Sequence, residues 1–164
     1  MICLSHIFFG VCEAALRIGA AEKRDYGEEW EMPFVRDCEL YTGEKGAYNI
    51  TEELIRAVTD SGVEDGVALI YSPHTTTGIT ITENTDPKAL GDLFLGVEAA
   101  FPNKPEYTHN EGNSFAHIRS SMMGTQIFVF VDGGWPMLGP WQAVYFFEFD
   151  GPRRRHFQIK VIAC

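Results

Sequence analysis

Three strand-like segments near the C-terminus constrain the fold of this chain more than any other feature. They cover residues 126–131, 142–149 and 156–162, and the turn signals Asp132-Gly133-Gly134 and Asp150-Gly151-Pro152 follow the first two. Turns of this composition are typical of connections between antiparallel neighbours. We therefore predict a sheet that is antiparallel or mixed.

Helical patterns precede these strands. Thr51 is predicted to cap a first helix that ends at Ser61-Gly62, and Asp86 a second helix with proline at its first position. A third, shorter helix is predicted from Asn113-Ser114 to Met123, where Gly124 suits the left-handed position after the helix end. Helices placed before a run of short-turned strands indicate an α+β fold.

Further strands are predicted at residues 34–42, 67–71 and 79–82. The second of these is a continuous apolar run, a pattern typical of a strand that is buried on both faces. Trp135 and Trp141 lie in a proline-containing bend that we interpret as core or interface packing.

The composition favours one globular domain and excludes several partners. The 164 residues are 45% hydrophobic and 22% charged, and the formal net charge is −10. Phosphate backbones and anionic membrane surfaces repel so acidic a chain on average. No apolar run approaches the roughly 20 residues of a membrane-spanning helix. The four cysteines are scattered without a C-x-x-C pair, which favours reduced thiols in the cytoplasm.

Residues 1–31 lack the periodicity of the remainder and are predicted to be an N-terminal extension of a single domain at 32–164. Glu28-Glu29-Trp30-Glu31 requires purine-rich codons that resemble a ribosome-binding site, so we predict that translation starts at Met32. The alternative is an export signal, but no basic residue precedes the apolar N-terminal stretch, which makes it a poor signal peptide.

Three of the five histidines follow clusters of hydrogen-bonding residues, namely His74, His109 and His117. Three imidazoles from different elements are the ligand set that a catalytic zinc ion uses, because its fourth position stays open for water or substrate. The spacing fits no helical zinc motif, so structural histidines remain the alternative.

Carboxylates and cations also lie near strand ends. Glu148 lies among phenylalanines in its strand and must face either solvent or a cation such as an arginine or a metal-bound group. Local sequence explains Asp86 as a helix cap. Arg153-Arg154-Arg155 is either a solvated strand edge or an anchor for phosphate or carboxylate, to which Thr75 and Thr76 could add donors.

Together these segments resemble the YjbQ-like family, often labelled secondary thiamine-phosphate synthase. The blocks arrive in the order of the family and cover residues 34–163. They are Ser72-Pro73-His74-Thr75-Thr76, Asn84-x-Asp86-Pro87, His109-Asn110-Glu111-Gly112-Asn113, Ala116-His117, Gly139-Pro140-Trp141-Gln142 and Glu148-Phe149-Asp150-Gly151-Pro152-Arg153.

The resemblance implies an α+β fold with a β-sandwich-like sheet assembly, two main helices and one short helix, in a homotrimer. It also implies that His74, His109 and His117 bind a metal in a common pocket. Glu148 and Asp86 then become candidate catalytic residues. The candidate substrate-binding residues are Thr75, Thr76, Asn84, Asn113, Trp141, Gln142 and Arg153.

The function implied is that of a metal-dependent enzyme for a small phosphorylated or carboxylated molecule. Thiamine-phosphate synthesis, which joins a pyrimidine diphosphate to a thiazole phosphate, is expected as a secondary activity. Imidazole ligands favour zinc, whereas departing diphosphate is usually assisted by Mg²⁺ on oxygen ligands. The alternative is a protein that binds a metal and a small anion without turnover.

Overall fold

The computed structural model describes residues 33–164, which form two antiparallel sheets and three helices. The predicted N-terminal extension and the predicted start at Met32 lie outside the described residues. The strands are β1 (Phe34–Tyr41), β2 (Gly46–Asn49), β3 (Gly66–Tyr71), β4 (Thr77–Glu83), β5 (Gln126–Asp132), β6 (Trp135–Pro136), β7 (Gln142–Glu148) and β8 (Arg154–Ala163). The helices are α1 (Thr51–Ser61), α2 (Pro87–Ala100) and α3 (Ser114–Met123).

The strand order confirms the α+β class. The larger sheet has the order β1-β8-β3-β5-β6 and the smaller sheet the order β2-β7-β4, with every pair antiparallel. The three predicted C-terminal strands do not pair with one another as their turns indicated, because β7 belongs to the smaller sheet and β5 and β8 are separated by β3 in the larger one. The strands β2 and β6 are not predictable from the sequence, because their four and two residues are too short to show a period.

Two apolar cores lie on opposite faces of the smaller sheet. Val144 and Phe146 of β7 pack with α1 and with the inner side of the larger sheet. Ala143, Tyr145 and Phe147 of the same strand pack with α2 and α3 on the other side. The successive layers are therefore the larger sheet, a core that includes α1, the smaller sheet, and the pair α2 and α3.

The structure corrects the prediction that residues 67–71 are buried on both faces. Val67 and Leu69 are only half-buried and Tyr71 is exposed, because they face outward from the larger sheet. Phe128 and Phe130, their neighbours on β5, are 66% and 71% exposed, so no described residue covers this part of the face. The strand that is buried on both faces is β7.

Two helix starts can be compared with their predictions. The prediction of Asp86 as the cap of α2 is confirmed, because its Oδ1 accepts from the Lys88 amide at 2.9 Å. The prediction of Thr51 as the cap of α1 is wrong, since Ile50 occupies that position without a side-chain hydrogen bond. The Thr51 hydroxyl instead accepts from the Val144 amide at 2.9 Å and so joins α1 to β7.

Trp135 and Trp141 are 54% and 69% exposed and therefore lie outside the core of this chain. Gly124 has a positive φ of 93°, but its ψ of 153° is outside the left-handed helical conformation that was predicted for it. Within residues 33–164, none of the helices combines the length and the apolar character needed to cross a bilayer.

Candidate functional site

His109 and His117 form a pair at the start of α3. The loop before the helix turns back at His109, whose carbonyl accepts from the Gly112 amide at 3.0 Å. The two imidazole rings lie 5.1 Å apart between centroids and stand nearly perpendicular, at 85°. Both rings line an open cavity of about 630 Å³, together with Ser114 and Ile118 of the helix.

The hydrogen bond of His117 fixes which of its nitrogens carries the proton. Its Nδ1 lies 3.1 Å from the Thr75 carbonyl oxygen, and a carbonyl can only accept, so Nδ1 is the protonated nitrogen. In the neutral ring Nε2 then keeps its lone pair. Nε2 is buried and has no hydrogen-bond partner among residues 33–164. A buried acceptor of this kind is costly unless something binds to it.

Asn113 lies one helical turn before His117. Its Nδ2 donates to Asp150 Oδ2 at 2.8 Å, while its buried Oδ1 has no partner among the described residues. Arg153 Nη2 donates to the same Asp150 oxygen at 2.6 Å. Burial opposes ionisation of Asp150, but the hydrogen bonds from Asn113 and Arg153 outweigh it and lower the pKa of this carboxyl.

His74 lies in a different environment. Its Nε2 accepts from the His156 backbone amide at 2.9 Å, so the neutral ring carries its proton on Nδ1. Burial, followed by the nearby charge of Arg155, lowers the pKa of His74 and favours this neutral form. His74 and His117 share the lining of a second cavity of about 360 Å³.

The hydrogen bonding of His117 is compatible with binding a metal ion, whereas that of His74 as it is placed is not. A metal-binding histidine donates its remaining ring N–H to a carbonyl or carboxylate, as His117 does to Thr75. His74 has no free lone pair, since one nitrogen accepts a hydrogen bond and the other is protonated. Over residues 33–164, no group of three His, Cys, Asp or Glu side chains is arranged to hold a metal ion. The three-histidine centre stays a prediction.

Glu148 forms a buried, bidentate ion pair with Arg155, called the closed ion pair below because all its carboxylate positions are occupied. The guanidinium donates through Nε to Oε2 and through Nη2 to Oε1, both at 2.6 Å. The Thr42 hydroxyl donates to Oε2 at 2.9 Å and the Asp150 amide to Oε1 at 2.8 Å. Arg155 Nη2 also lies 2.8 Å from the Thr76 hydroxyl. The two Arg155 donors, the Thr42 hydroxyl and the Asp150 amide together saturate the Glu148 carboxylate, which has no exposed surface.

The electrostatics agree with an ionised Glu148. Burial on its own would raise the pKa of this carboxyl, but the hydrogen bonds from Arg155, Asp150 and Thr42 outweigh burial and lower the pKa. Of the alternatives that the sequence left for Glu148, the structure shows the arginine. The Glu148 carboxylate therefore has no free position from which to accept a substrate proton.

Four of the other candidate residues lie outside the histidine pair. The Asn84 Oδ1 accepts from the Tyr145 hydroxyl at 2.5 Å and from Asn49 Nδ2 at 3.1 Å. Asp86 caps α2. Gln142 accepts from the Gly139 amide at 2.8 Å, and Trp141 is exposed beside it. None of these four side chains lines either histidine cavity, and neither do the candidates Thr76, Asn113 and Arg153, whereas Thr75 lines the second.

Arg119 and Arg155 are buried cations. Nothing in the sequence drew attention to Arg119, and the expectation that Arg155 belongs to a solvated edge or an anion anchor is wrong, because it pairs with Glu148 inside the protein. Side chains of a strand alternate between faces, so Arg155 shares the inward face of β8 with Phe157, Ile159 and Val161. The alternation of polar and apolar residues along β8 therefore predicts that Arg155 points inward. Arg119 stands one turn after Phe115 on α3, and its guanidinium lies 4.8 Å from the Phe115 ring centroid.

Comparison with known proteins identifies the class to which this fold and this site belong. The profile of the family described as "UPF0047 protein YjbQ-like" matches residues 36–164. A UPF0047 protein of Methanocaldococcus jannaschii is 48% identical over 114 residues, which are 70% of this chain and 83% of that protein. YugU of Bacillus subtilis, also a UPF0047 protein, is 44% identical over 70% of this chain and 87% of its own length.

Solved structures agree with these relatives. An uncharacterised YjbQ/UPF0047 protein of Clostridium acetobutylicum has a TM-score of 0.75 and 43% identity, and the match covers 77% of this chain and 99% of that one. A protein of unknown function from Sulfolobus solfataricus has a TM-score of 0.77 at 23% identity, covering 81% of this chain and 99% of that one, and shares the fold. This chain belongs to the YjbQ/UPF0047 family.

Proposed function

We propose that this protein is a metal-dependent enzyme that acts on a small phosphorylated or carboxylated molecule in the cavity at His109 and His117. The observation that carries the proposal is the buried Nε2 of His117, which has a lone pair and no partner among the described residues. Its proton-bearing Nδ1 is held by the Thr75 carbonyl, and a second imidazole stands beside it.

His109 and His117 would hold the ion, for which imidazole nitrogens favour zinc over Mg²⁺. A divalent ion bound there would supply Lewis-acid polarisation of a phosphoryl or carboxyl oxygen. His74 would join the ligand set only by releasing the His156 amide, which needs a rotation of its ring.

The chain's own residues would orient the substrate around this pair. Asn113 does not line the cavity, so its free Oδ1 would have to reach a substrate hydroxyl or amine from beside it. Arg153 also lies outside the lining, but it is half-exposed and keeps donors beyond those that it gives to Asp150, so it would contact an anionic group that extends from the cavity. The Thr75 carbonyl keeps the His117 ring in one tautomer.

Thiamine-phosphate synthesis is proposed as a secondary activity of the same site. In that reaction a thiazole nitrogen forms a bond to the pyrimidine methylene carbon, while the bond from this carbon to pyrophosphate breaks. A protein that binds a metal and an anion without turnover is the second candidate, favoured by the carboxylates already committed to Arg155 and to helix capping.

A homotrimer is proposed through the bare face of the larger sheet. Phe128 and Phe130 pair across strands with Leu69 and Val67, and Val67 pairs in turn with Ile162 of β8. A contiguous apolar patch of this kind is typical of protein interfaces. Native mass spectrometry should give the mass of three chains, and the Phe128→Lys and Phe130→Lys double variant should give one. A wild-type monomer would contradict the proposal.

The cytoplasm is the proposed location, since the described cysteines, Cys38 and Cys164, are free thiols.

Metal analysis of untagged protein tests the principal proposal. We expect about one ion per chain in the wild type and its loss in His109→Ala and in His117→Ala. His156→Ala is the matched control, because it removes an exposed imidazole on β8. Retention of the ion in both His109→Ala and His117→Ala would overturn the site.

Turnover separates the enzyme from the binder. The wild-type protein loaded with zinc is incubated with a panel of phosphate esters, carboxylate esters and the two thiamine precursors, and products are followed by mass spectrometry. Product that His117→Ala does not form supports the enzyme. Thermal stabilisation by panel members without product supports the binding protein.

A further inference from the structure

A separate cavity of about 430 Å³ lies beside α3, between the end of α2 and the loops at residues 42–45 and 149–153. Arg119 and Phe115 of α3 line it, whereas His117 does not. Helix positions two residues apart face different directions, so the Arg119 cavity and the His117 cavity lie on different sides of α3.

Arg119 is the buried charge at this cavity. The residue is only 7% exposed, and its guanidinium stacks over Phe115. Its Nε donates to the Phe101 carbonyl at 3.1 Å, and Nη1 reaches Glu98 Oε1 only at 3.5 Å. The other guanidinium N–H groups have no acceptor among residues 33–164. No Arg119 nitrogen is among the fully buried side-chain atoms that lack a partner, so these free donors stay accessible and can donate to a ligand in the cavity.

The charges that face the cavity identify the kind of acceptor. Glu98 Oε1 also accepts from Lys45 Nζ at 2.7 Å, so one carboxylate oxygen serves two cations. Glu44 lies exposed at the rim, and Asp150 is paired with Arg153. The lining carries positive charges on Lys45 and Arg119 and negative charges on Glu44, Glu98 and Asp150, and these balance when Arg153, which pairs with Asp150 from outside the lining, is included. This balance admits one further negative charge near Arg119 but disfavours a phosphate dianion.

The remainder of the lining is aromatic. Phe115 is half-buried and Phe149 is buried, and both contribute to the wall of the cavity. Flat apolar walls favour a ligand with an aromatic or apolar body. The planar guanidinium fork matches a carboxylate, to which it donates two parallel hydrogen bonds.

We propose that this cavity binds a small monocarboxylate that carries an aromatic or apolar group. The carboxylate accepts from the free donors of Arg119, and the apolar body lies against Phe115 and Phe149. The site needs no metal and is independent of the function proposed for His109 and His117.

Calorimetric titration of the full chain with benzoate, phenylacetate and 3-phenylpropionate tests the proposal. At least one of the three should bind saturably, and Arg119→Lys should weaken this binding by about tenfold or more, because lysine keeps the charge and loses the fork. Inorganic phosphate should not compete at equal concentration. His117→Ala should bind as the wild type does, which separates this site from the metal proposal.

A second variant keeps the test decisive if Arg119→Lys fails to fold. Asn103 is exposed on the rim of the cavity, so Asn103→Trp should fill the cavity without disturbing the core. It should abolish binding, whereas Lys104→Trp at the next exposed position should not. The proposal is overturned if none of the three carboxylates binds, if binding survives Arg119→Lys or Asn103→Trp, or if phosphate displaces the ligand.

Discussion

The ion pair of Glu148 with Arg155 and the histidine pair of His109 with His117 use polar side chains in opposite ways. Each oxygen of Glu148 accepts two hydrogen bonds, from Arg155, Thr42 and the Asp150 amide. His117 has one ring nitrogen held by a carbonyl and the other buried without a partner among the described residues.

The difference separates residues that hold the fold from residues available for chemistry. A saturated buried network fixes the elements that it joins, here β7, β8 and the segments that carry Thr42 and Thr76. An unsatisfied buried acceptor adds nothing to stability and is retained at a cost, which is typical of a position that binds a ligand. Substitutions in the two groups should therefore differ in their effect on stability.

The largest expected effect comes from breaking the closed ion pair. Arg155→Ala leaves the Glu148 carboxylate buried without its cation and should lower the free energy of unfolding by about 3–5 kcal/mol. Urea denaturation measures the change. Arg154→Ala is the matched control, because this neighbouring side chain points outward and pairs with Glu39 at the surface. Equal losses in the two variants would remove the contrast.

Acid should weaken the same network. The folded pKa of Glu148 is lowered below the ordinary value of 4.5, so the folded state binds this proton less readily than the unfolded state. The contribution of Glu148 to stability is complete above pH 4.5 and is lost as the pH falls through the folded pKa. Urea midpoints should therefore decrease steeply below about pH 4.5. Arg155→Ala should flatten that decrease, and an unchanged slope would contradict the assignment.

Removal of His117 should have a much smaller effect on stability. His117→Ala loses ring packing but also removes a buried nitrogen that has no partner, and these contributions oppose each other. We expect the free energy of unfolding of the metal-free protein to change by about 1 kcal/mol or less. Thermal or urea unfolding in a chelator measures it. A loss as large as that of Arg155→Ala would place His117 among the structural residues.

The smallest effect concerns His74. Its folded pKa is lowered from 6.5, so the unfolded state takes up this proton first. Stability from this residue is complete above pH 6.5 and decreases as the pH falls from there toward the lowered folded value. A shallow decrease between pH 7 and 5 should disappear in His74→Gln, whose amide cannot titrate. Persistence of the decrease in that variant would assign it to another group.

Much of the fold could be predicted from the sequence because turns and helix caps are determined by residues close together in the chain. The strands around Asp132-Gly133 and Asp150-Gly151 and the proline-started helix α2 follow from turn and cap chemistry within a few residues. The cap of α1 was mispredicted because Thr51 has a better partner in β7, which is distant in sequence. The apolar run at 67–71 did not distinguish a buried face from a bare one.

For the candidate site too, the sequence predicted the features that depend on neighbouring residues and missed those that depend on distant ones. The sequence named His109, His117 and Asn113, which share a loop and one helix turn, and it identified Glu148 as a carboxylate that requires a cation or solvent. It treated residues 153–155 as one run of exposed cations, although the alternation of β8 assigns Arg155 to the core. It did not predict that His74 accepts from the His156 amide, a contact between β8 and the loop after β3.

The sequence by itself determined the α+β class and most element boundaries, because these depend on periods and turns a few residues long, and it named the histidines that are the candidate ligands. Only the tertiary structure decided which imidazole nitrogen keeps a free lone pair, which carboxylate is saturated and which face of the larger sheet stays bare. The physical reason is that hydrogen bonding and burial depend on contacts between segments distant in sequence, and such contacts leave no local pattern in the chain.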